Sequence, residues 1–165
     1  MVDQQAIYQR IIQLMNDSVV EYKLLKHRAA LTYEDLAAVQ KETGFIGTEG
    51  KCLVLKADDN FLVYITIQGQ KVNFENMKEV LNATKVRLAT QEELMDNFGA
   101  EPGCAYPFGF NEQYPIYIDP QIYEQEWLLF SPLYPTQTIQ ARGEDLKKVY
   151  QQLGNQVTEV TSFNL

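Results

Sequence analysis

Apolar residues at Ile7, Ile11, Ile12, Leu14 and Met15 keep a helical spacing among polar neighbours and predict an amphipathic first helix. Val19 to Lys26 then reads as a strand. Thr32 with Asp35 three residues on has capping-box spacing, Leu36 and Val39 continue an apolar face, and Gly44 suits the left-handed residue that closes a helix. Lys51 to Ala57 and Phe61 to Ile67 are β-rich runs joined by Asp58-Asp59-Asn60, a hairpin composition. After Gly69, Asn73 caps a helix carrying Phe74, Met77, Val80 and Leu81. Lys85 to Ala89 is a short strand, and Thr90-Gln91-Glu92-Glu93 opens a helix that ends near Gly99. Short strands follow around Ile116–Ile118, Trp127–Phe130 and Thr136–Gln140, then a last helix over Glu144–Leu153. Gln156 to Leu165 alternates like a strand. Strands joined here by a hairpin and there by helices imply an α+β domain, a mixed sheet with helices packed on it.

Composition narrows this picture. The chain of 165 residues is 45% apolar and 22% charged, enough to bury a core and unlike a disordered segment. No repeat, low-complexity tract or Pro/Gly/Ser linker divides it, so residues 1–165 read as one domain. The apolar runs are far shorter than the roughly 20 residues of a membrane span, and the first residues lack the pattern of a signal peptide. These features predict a cytoplasmic protein with no membrane partner. Two cysteines and one histidine are too few for a disulfide framework or a zinc site, so no metal or cofactor is expected. The net charge of −8 opposes a generic DNA-binding role, because duplex affinity rests on neutralising phosphates; any nucleic-acid contact must be small and local.

Conventional nucleophilic catalysis finds little footing. His27 is the single histidine, and no Gly-x-Ser-x-Gly turn presents a serine. Cys52 lies inside an apolar strand, where a small buried hydrophobe is the ordinary role. Gly44-x-x-Gly47-x-x-Gly50-Lys51-Cys52 superficially resembles a phosphate-binding loop. Its spacing is one residue too long, cysteine replaces the magnesium-binding hydroxyl, and a strand follows the lysine where a helix is needed. Lys51 opens that strand, so its ammonium should project from the end of the sheet. It reads either as a solvated strand-end lysine or as a cation fixed beside a phosphate or carboxylate. The loop from Glu101 to Asn111 is the least ordinary stretch. Pro102, Gly103, Pro107 and Gly109 stiffen it, so that it can aim backbone N–H groups at one point. Tyr106, Phe108 and Phe110 either pack beneath it or stack on a base.

At this point the pattern is similar to a known family. His27-Arg28-Ala29 precedes the helix at Thr32-Tyr33-Glu34-Asp35. Gly50-Lys51-Cys52-Leu53-Val54-Leu55 forms a lysine-bearing strand. Lys85-Val86-Arg87-Leu88-Ala89-Thr90 with Glu92-Glu93-Leu94 forms a strand-helix unit. Gly99-Ala100-Glu101-Pro102-Gly103-Cys104-Ala105-Tyr106-Pro107-Phe108-Gly109 carries a Gly-x-x-x-Pro loop, and Ile116–Asp119 and Asp145-Leu146 lie in the last third. In this order and spacing, from about His27 to Val149, the chain resembles the YbaK/prolyl-tRNA editing family. These are freestanding aminoacyl-tRNA deacylases related to the insertion domain of bacterial prolyl-tRNA synthetases. The resemblance implies a mixed, partly barrel-like sheet surrounded by helices, and hydrolysis of the ester between a wrong amino acid and a tRNA's terminal ribose, with tRNA-Pro a candidate. It implies that Lys51 and Gly103 are catalytic, Lys51 gripping the tRNA 3′ end and the Gly103–Pro107 backbone positioning carbonyl and water, with help from the substrate's 2′-hydroxyl. His27, Cys52, Cys104, Ala105, Tyr106, Pro107, Phe108 and Ser131 would contact substrate. The acceptor end of aminoacyl-tRNA is the implied partner, and a synthetase a further one.

The chain also departs from the pattern. Relatives that act on alanyl-tRNA carry His-Pro-Leu-x-Asn where this chain reads Ser131-Pro132-Leu133-Tyr134-Pro135, and Cys52 stands where relatives place Thr or Asn. Two functions follow as expectations: a trans-editing deacylase, or a non-catalytic module of the same fold that binds a tRNA end, a small aminoacyl ligand or a protein partner.

Overall fold

The computed structural model describes residues 2–165. Helix α1 (Gln4–Asp17) starts at Asp3, whose carboxylate accepts from the Gln5 and Ala6 amides, and turns Ile11 and Met15 into the core. The chain then reverses at Val19, which takes a left-handed φ of 54° and is 84% exposed, so β1 spans only Tyr22–Lys26. Helix α2 (Tyr33–Thr43) is capped by Thr32 and closed by Gly44 at φ 72°. Strand β2 (Thr48–Ala57) and β3 (Asn60–Ile67) pair antiparallel around Asp58, whose side chain also accepts from the Thr84 and Lys85 amides. Next come α3 (Phe74–Leu81), β4 (Val86–Leu88) and α4 (Gln91–Phe98), the last with the full reciprocal capping box of Thr90 and Glu93. The remainder comprises β5 (Ile116–Ile118), β6 (Leu128–Phe130), β7 (Gln137–Ala141), α5 (Leu146–Gln151) and β8 (Val157–Glu159).

The strands form one eight-stranded sheet in the order β1-β7-β6-β2-β3-β5-β8, with β4 on β2. It is mixed: β2–β6, β3–β5 and β5–β8 run parallel, the other pairs antiparallel. The order is open, ending at β1 and β8. Alternation along β2 and β3 divides the core. Val54, Val63 and Ile65 face a large cluster built with α1, α4, α5 and the aromatic loop, while Leu55, Leu62 and Tyr64 face Met77 of α3 and the returning Phe163. The chain is therefore the α+β domain with a mixed sheet that its pattern predicts.

Beyond β1, three elements differ from the expectations by more than one residue. β2 begins at Thr48, because Thr48 and Glu49 pair in parallel with Leu128 and Leu129. The last helix is shorter than Glu144–Leu153, a 3-10 turn at Gly143–Asp145 preceding α5. The final segment contributes only Val157–Glu159 to the sheet before Phe163 folds into the second cluster.

Candidate active site

The early start of β2 repositions Lys51. It sits inside the strand opposite Thr66, and its ammonium donates to the Gln70 carbonyl at 2.8 Å. The expectation that it opens the strand is thus corrected, while its ammonium reaches past the end of β3 at Ile67 to the turn that follows. The cause is the pairing of Thr48 and Glu49 with β6 and of Gly50 with Ile67 of β3, which starts β2 at Thr48.

The edge of β2 near Lys51 is unusual. The Glu49 carbonyl accepts from the Gln68 amide at 2.9 Å, so antiparallel alternation directs the peptide groups of Glu49, Lys51 and Leu53 toward β3 and those of Gly50, Cys52 and Val54 to the opposite edge. On that edge β6 occupies only Thr48–Glu49 and β4 only Leu55–Ala57, and the Val54 carbonyl is taken by the Ala89 amide. The N–H and C=O of Cys52 fall in the gap, paired with neither strand.

A cavity of about 240 Å³ opens at this gap. It is smaller than the roughly 300–1,000 Å³ of sites that take drug-sized ligands, and suits a single small group. Tyr33 and Leu36 of α2 wall one side, Lys51 and Cys52 line β2, and Gly103, Cys104 and Ala105 close it together with Ser131 and Tyr134. Lys51 and the Gly103 loop, distant in sequence, therefore meet at one site.

The loop is held by backbone packing. Gly103 has φ 88°, and a Cβ placed there would overlap the carbonyl oxygen of Leu31, so only glycine fits. The Cys104 amide closes a turn onto Glu101 O at 2.9 Å, while the amides of Gly103 and Ala105 have no hydrogen-bond partner among the described residues. Opposite, Leu133 takes φ 96°, uncommon for leucine, in a turn where the Ser131 hydroxyl accepts from the Leu133 amide at 3.1 Å.

Of the residues expected to touch substrate, Cys52, Cys104, Ala105 and Ser131 line the cavity. Tyr106, Pro107 and Phe108 lie beneath it: the Tyr106 hydroxyl donates to Phe98 O at 2.7 Å, the Pro107 carbonyl accepts from Tyr150 at 3.0 Å, and Phe108 packs edge-on against Phe130 and Tyr150. All three are buried in the core, so the aromatics support the loop from below and do not form a stacking platform. His27 is also outside the lining. Its ring bridges Thr138 Oγ1 (2.8 Å) and Arg28 O (2.6 Å), joining the end of β1 to β7.

Burial sets the chemistry of the lining. The Cys52 thiol is pushed up to about 12 by burial alone, and Cys104 to about 11 by burial reinforced by the Glu101 charge. Neither is a ready thiolate at neutral pH. The Tyr33 phenol is likewise raised by burial. Glu49 is marked by no local signal in the sequence. It is 5% exposed, lines the cavity, and is pushed up to about 7 by burial, against the opposing bond from Gln40 Nε2 at 3.1 Å. Among the described residues no group of three His, Cys, Asp or Glu could hold a metal, and no helix is long and apolar enough to cross a membrane.

The aminoacyl-tRNA editing domain model matches residues 27–149. A proline–tRNA ligase of Bacillus velezensis is 39% identical over 69 residues, which is 42% of this chain and 12% of the ligase, so the chain spans only a small part of the ligase's length. A solved structure named as a candidate trans-editing enzyme for prolyl-tRNA synthetase superposes with a TM-score of 0.71 at 18% identity, covering 93% of this chain and 95% of that one. A solved hypothetical protein gives a TM-score of 0.74 at 16% identity over 92% of this chain and 98% of its own. At such identities the two structures establish a shared fold.

Proposed function

This chain belongs to the aminoacyl-tRNA editing domain family, and from that premise we propose that it is a trans-acting deacylase. It hydrolyses the ester joining a mischarged amino acid to the terminal ribose of a tRNA, and tRNA-Pro is the first candidate given the proline–tRNA ligase relatives. The observation that carries this reading is the convergence of Lys51 and Gly103–Ala105 on one cavity of single-residue size.

The division of labour follows from the geometry. The aminoacyl group enters the cavity, and the unpaired amides of Gly103 and Ala105 are the donors available to its carbonyl as oxyanion character develops. The Lys51 ammonium has one of its three donors on Gln70 O, leaving two for the phosphate or ribose oxygens of the tRNA end. The cavity thiols are protonated and His27 is engaged elsewhere, so water is the nucleophile, and the ribose hydroxyl next to the ester assists it. An aminoacyl ester is activated already, so orientation and fixed dipoles supply much of the acceleration. An acidic protein that holds only the acceptor end needs few phosphate contacts.

The test is a panel of tRNAs, tRNA-Pro included, each charged with a non-cognate amino acid and incubated with the protein. Turnover of at least one ester is expected. Binding without hydrolysis across the panel would replace the deacylase with a non-catalytic module.

A further inference from the structure

The cavity contains one acidic side chain, and the hydrolytic scheme above leaves it idle. Alternation along β2 puts Glu49 on the same face as Lys51, yet the two are not an ion pair: the lysine ammonium sits on the Gln70 carbonyl. Glu49 Oε1 accepts from Gln40 Nε2, and Oε2 makes no hydrogen bond. Every fully buried side-chain oxygen among the described residues has a partner, so Oε2 is reached by solvent, and the cavity is the space that Glu49 lines. A carboxyl oxygen is therefore held ready at the wall of a small, mostly apolar cavity.

We propose that Glu49 positions the substrate by taking its α-ammonium on Oε2, an assignment that rests on the deacylase reading and adds how the amino end is held. Every aminoacyl ester bears an α-amino group, cationic below about pH 8. Moving that cation out of water is costly unless it meets an opposite charge, and Lys51 on the same wall makes the site less hospitable still. Glu49 is the only acid among the lining residues, so it alone can offset both. Its orientation is set in advance by Gln40, on a helix fixed at its ends by Thr32 and Gly44. Its carboxyl is raised by burial, and an arriving ammonium draws it back toward the ionised form.

The probes are 3′-deoxy-3′-(L-alanylamino)adenosine, whose amide resists hydrolysis, and its 3′-propionylamino counterpart, which lacks only the amino group. Titration calorimetry at pH 7 with wild type and Glu49→Gln reads the alanyl-to-propionyl affinity ratio. Wild type should favour the alanyl probe at least tenfold. Glu49→Gln should bring the ratio close to one while its propionyl affinity stays at the wild-type level, which also shows an intact fold. Equal affinity for both probes in wild type overturns the assignment, as does a variant that weakens both equally. A variant that keeps the ratio but loses kcat on aminoacyl-tRNA overturns it too, and makes Glu49 a proton-transfer group. The probes need no turnover, so the two readings separate. Selective binding without any ester hydrolysis defeats the deacylase and leaves Glu49's role standing, and hydrolysis without probe selectivity does the reverse.

Discussion

Replacing Gly103 with alanine tests the claim that the loop is held by backbone packing. The substitution imposes two penalties. Alanine at φ 88° pays for a left-handed conformation, roughly 1–2 kcal/mol, part of which is returned by the stiffer unfolded chain, about 0.4–1 kcal/mol. The new Cβ also overlaps the Leu31 carbonyl oxygen, and the gap must open by about 1 Å to reach the 3.0 Å that real Cβ atoms keep. Such overpacking costs roughly 1–3 kcal/mol. The total is roughly 2–4 kcal/mol, which at about 2–4 °C per kcal/mol for a domain of this size places the melting midpoint roughly 4–16 °C below wild type. Gly69 supplies the control, with φ 95° and nothing within 4 Å of a built Cβ. Gly69→Ala carries only the conformational penalty and should shift the midpoint by about 2–4 °C. Thermal unfolding by circular dichroism separates the two. Because a 1 Å displacement of a positioning group costs on the order of 10²-fold in rate, folded Gly103→Ala should also deacylate about a hundredfold more slowly. A Gly103→Ala protein that melts with Gly69→Ala, or keeps the wild-type rate, would refute the close-approach argument.

Two further outcomes follow from the buried groups of the cavity. The Glu49 carboxyl is raised from 4.5 to about 7, so the folded state binds its proton more tightly and stability falls as pH rises between these values; facing it, the Tyr33 phenol stays neutral throughout. Relative to wild type, Glu49→Gln should match in chemical denaturation near pH 4.5 and gain up to about 3 kcal/mol at pH 8; an equal difference at both pH values would contradict this. The Cys104 thiol at about 11 implies roughly a hundredfold less thiolate at pH 8 than an ordinary cysteine, and Cys52 less again. Iodoacetamide should label neither in the native protein while labelling both rapidly in urea, a result that rapid native labelling would exclude.

What was legible in the sequence divides along physical lines. Local devices were readable: the Thr32 cap, the Gly44 closure and the Thr90–Glu93 capping box each act within a few residues, and each stands in the structure. The Gly103 loop was legible as stiff, since glycine and proline constrain the backbone wherever they occur. Features set by distant partners were not. The first residues of β2 are strand because β6 lies beside them, and no local pattern announces it. A strand begun at Lys51 puts that lysine at its end and leaves Glu49 outside the sheet, whereas β2 holds both. Had β2 been extended to Thr48, alternation would have placed a carboxylate on the face of Leu53 and Leu55, the one signal that could have marked it. Tyr106 and Phe108 show the opposite failure: near a functional loop, large aromatics read as contacts, yet the core claims them.

The deacylase account is tested most directly by the single-turnover rate of wild type and Lys51→Ala on whichever mischarged tRNA the panel selects. Removing one charge-assisted hydrogen bond of roughly 1.5–3 kcal/mol predicts a rate lower by about 10–150-fold in a variant that remains folded. Equal rates in the two proteins would contradict the assignment of this cavity as the editing site.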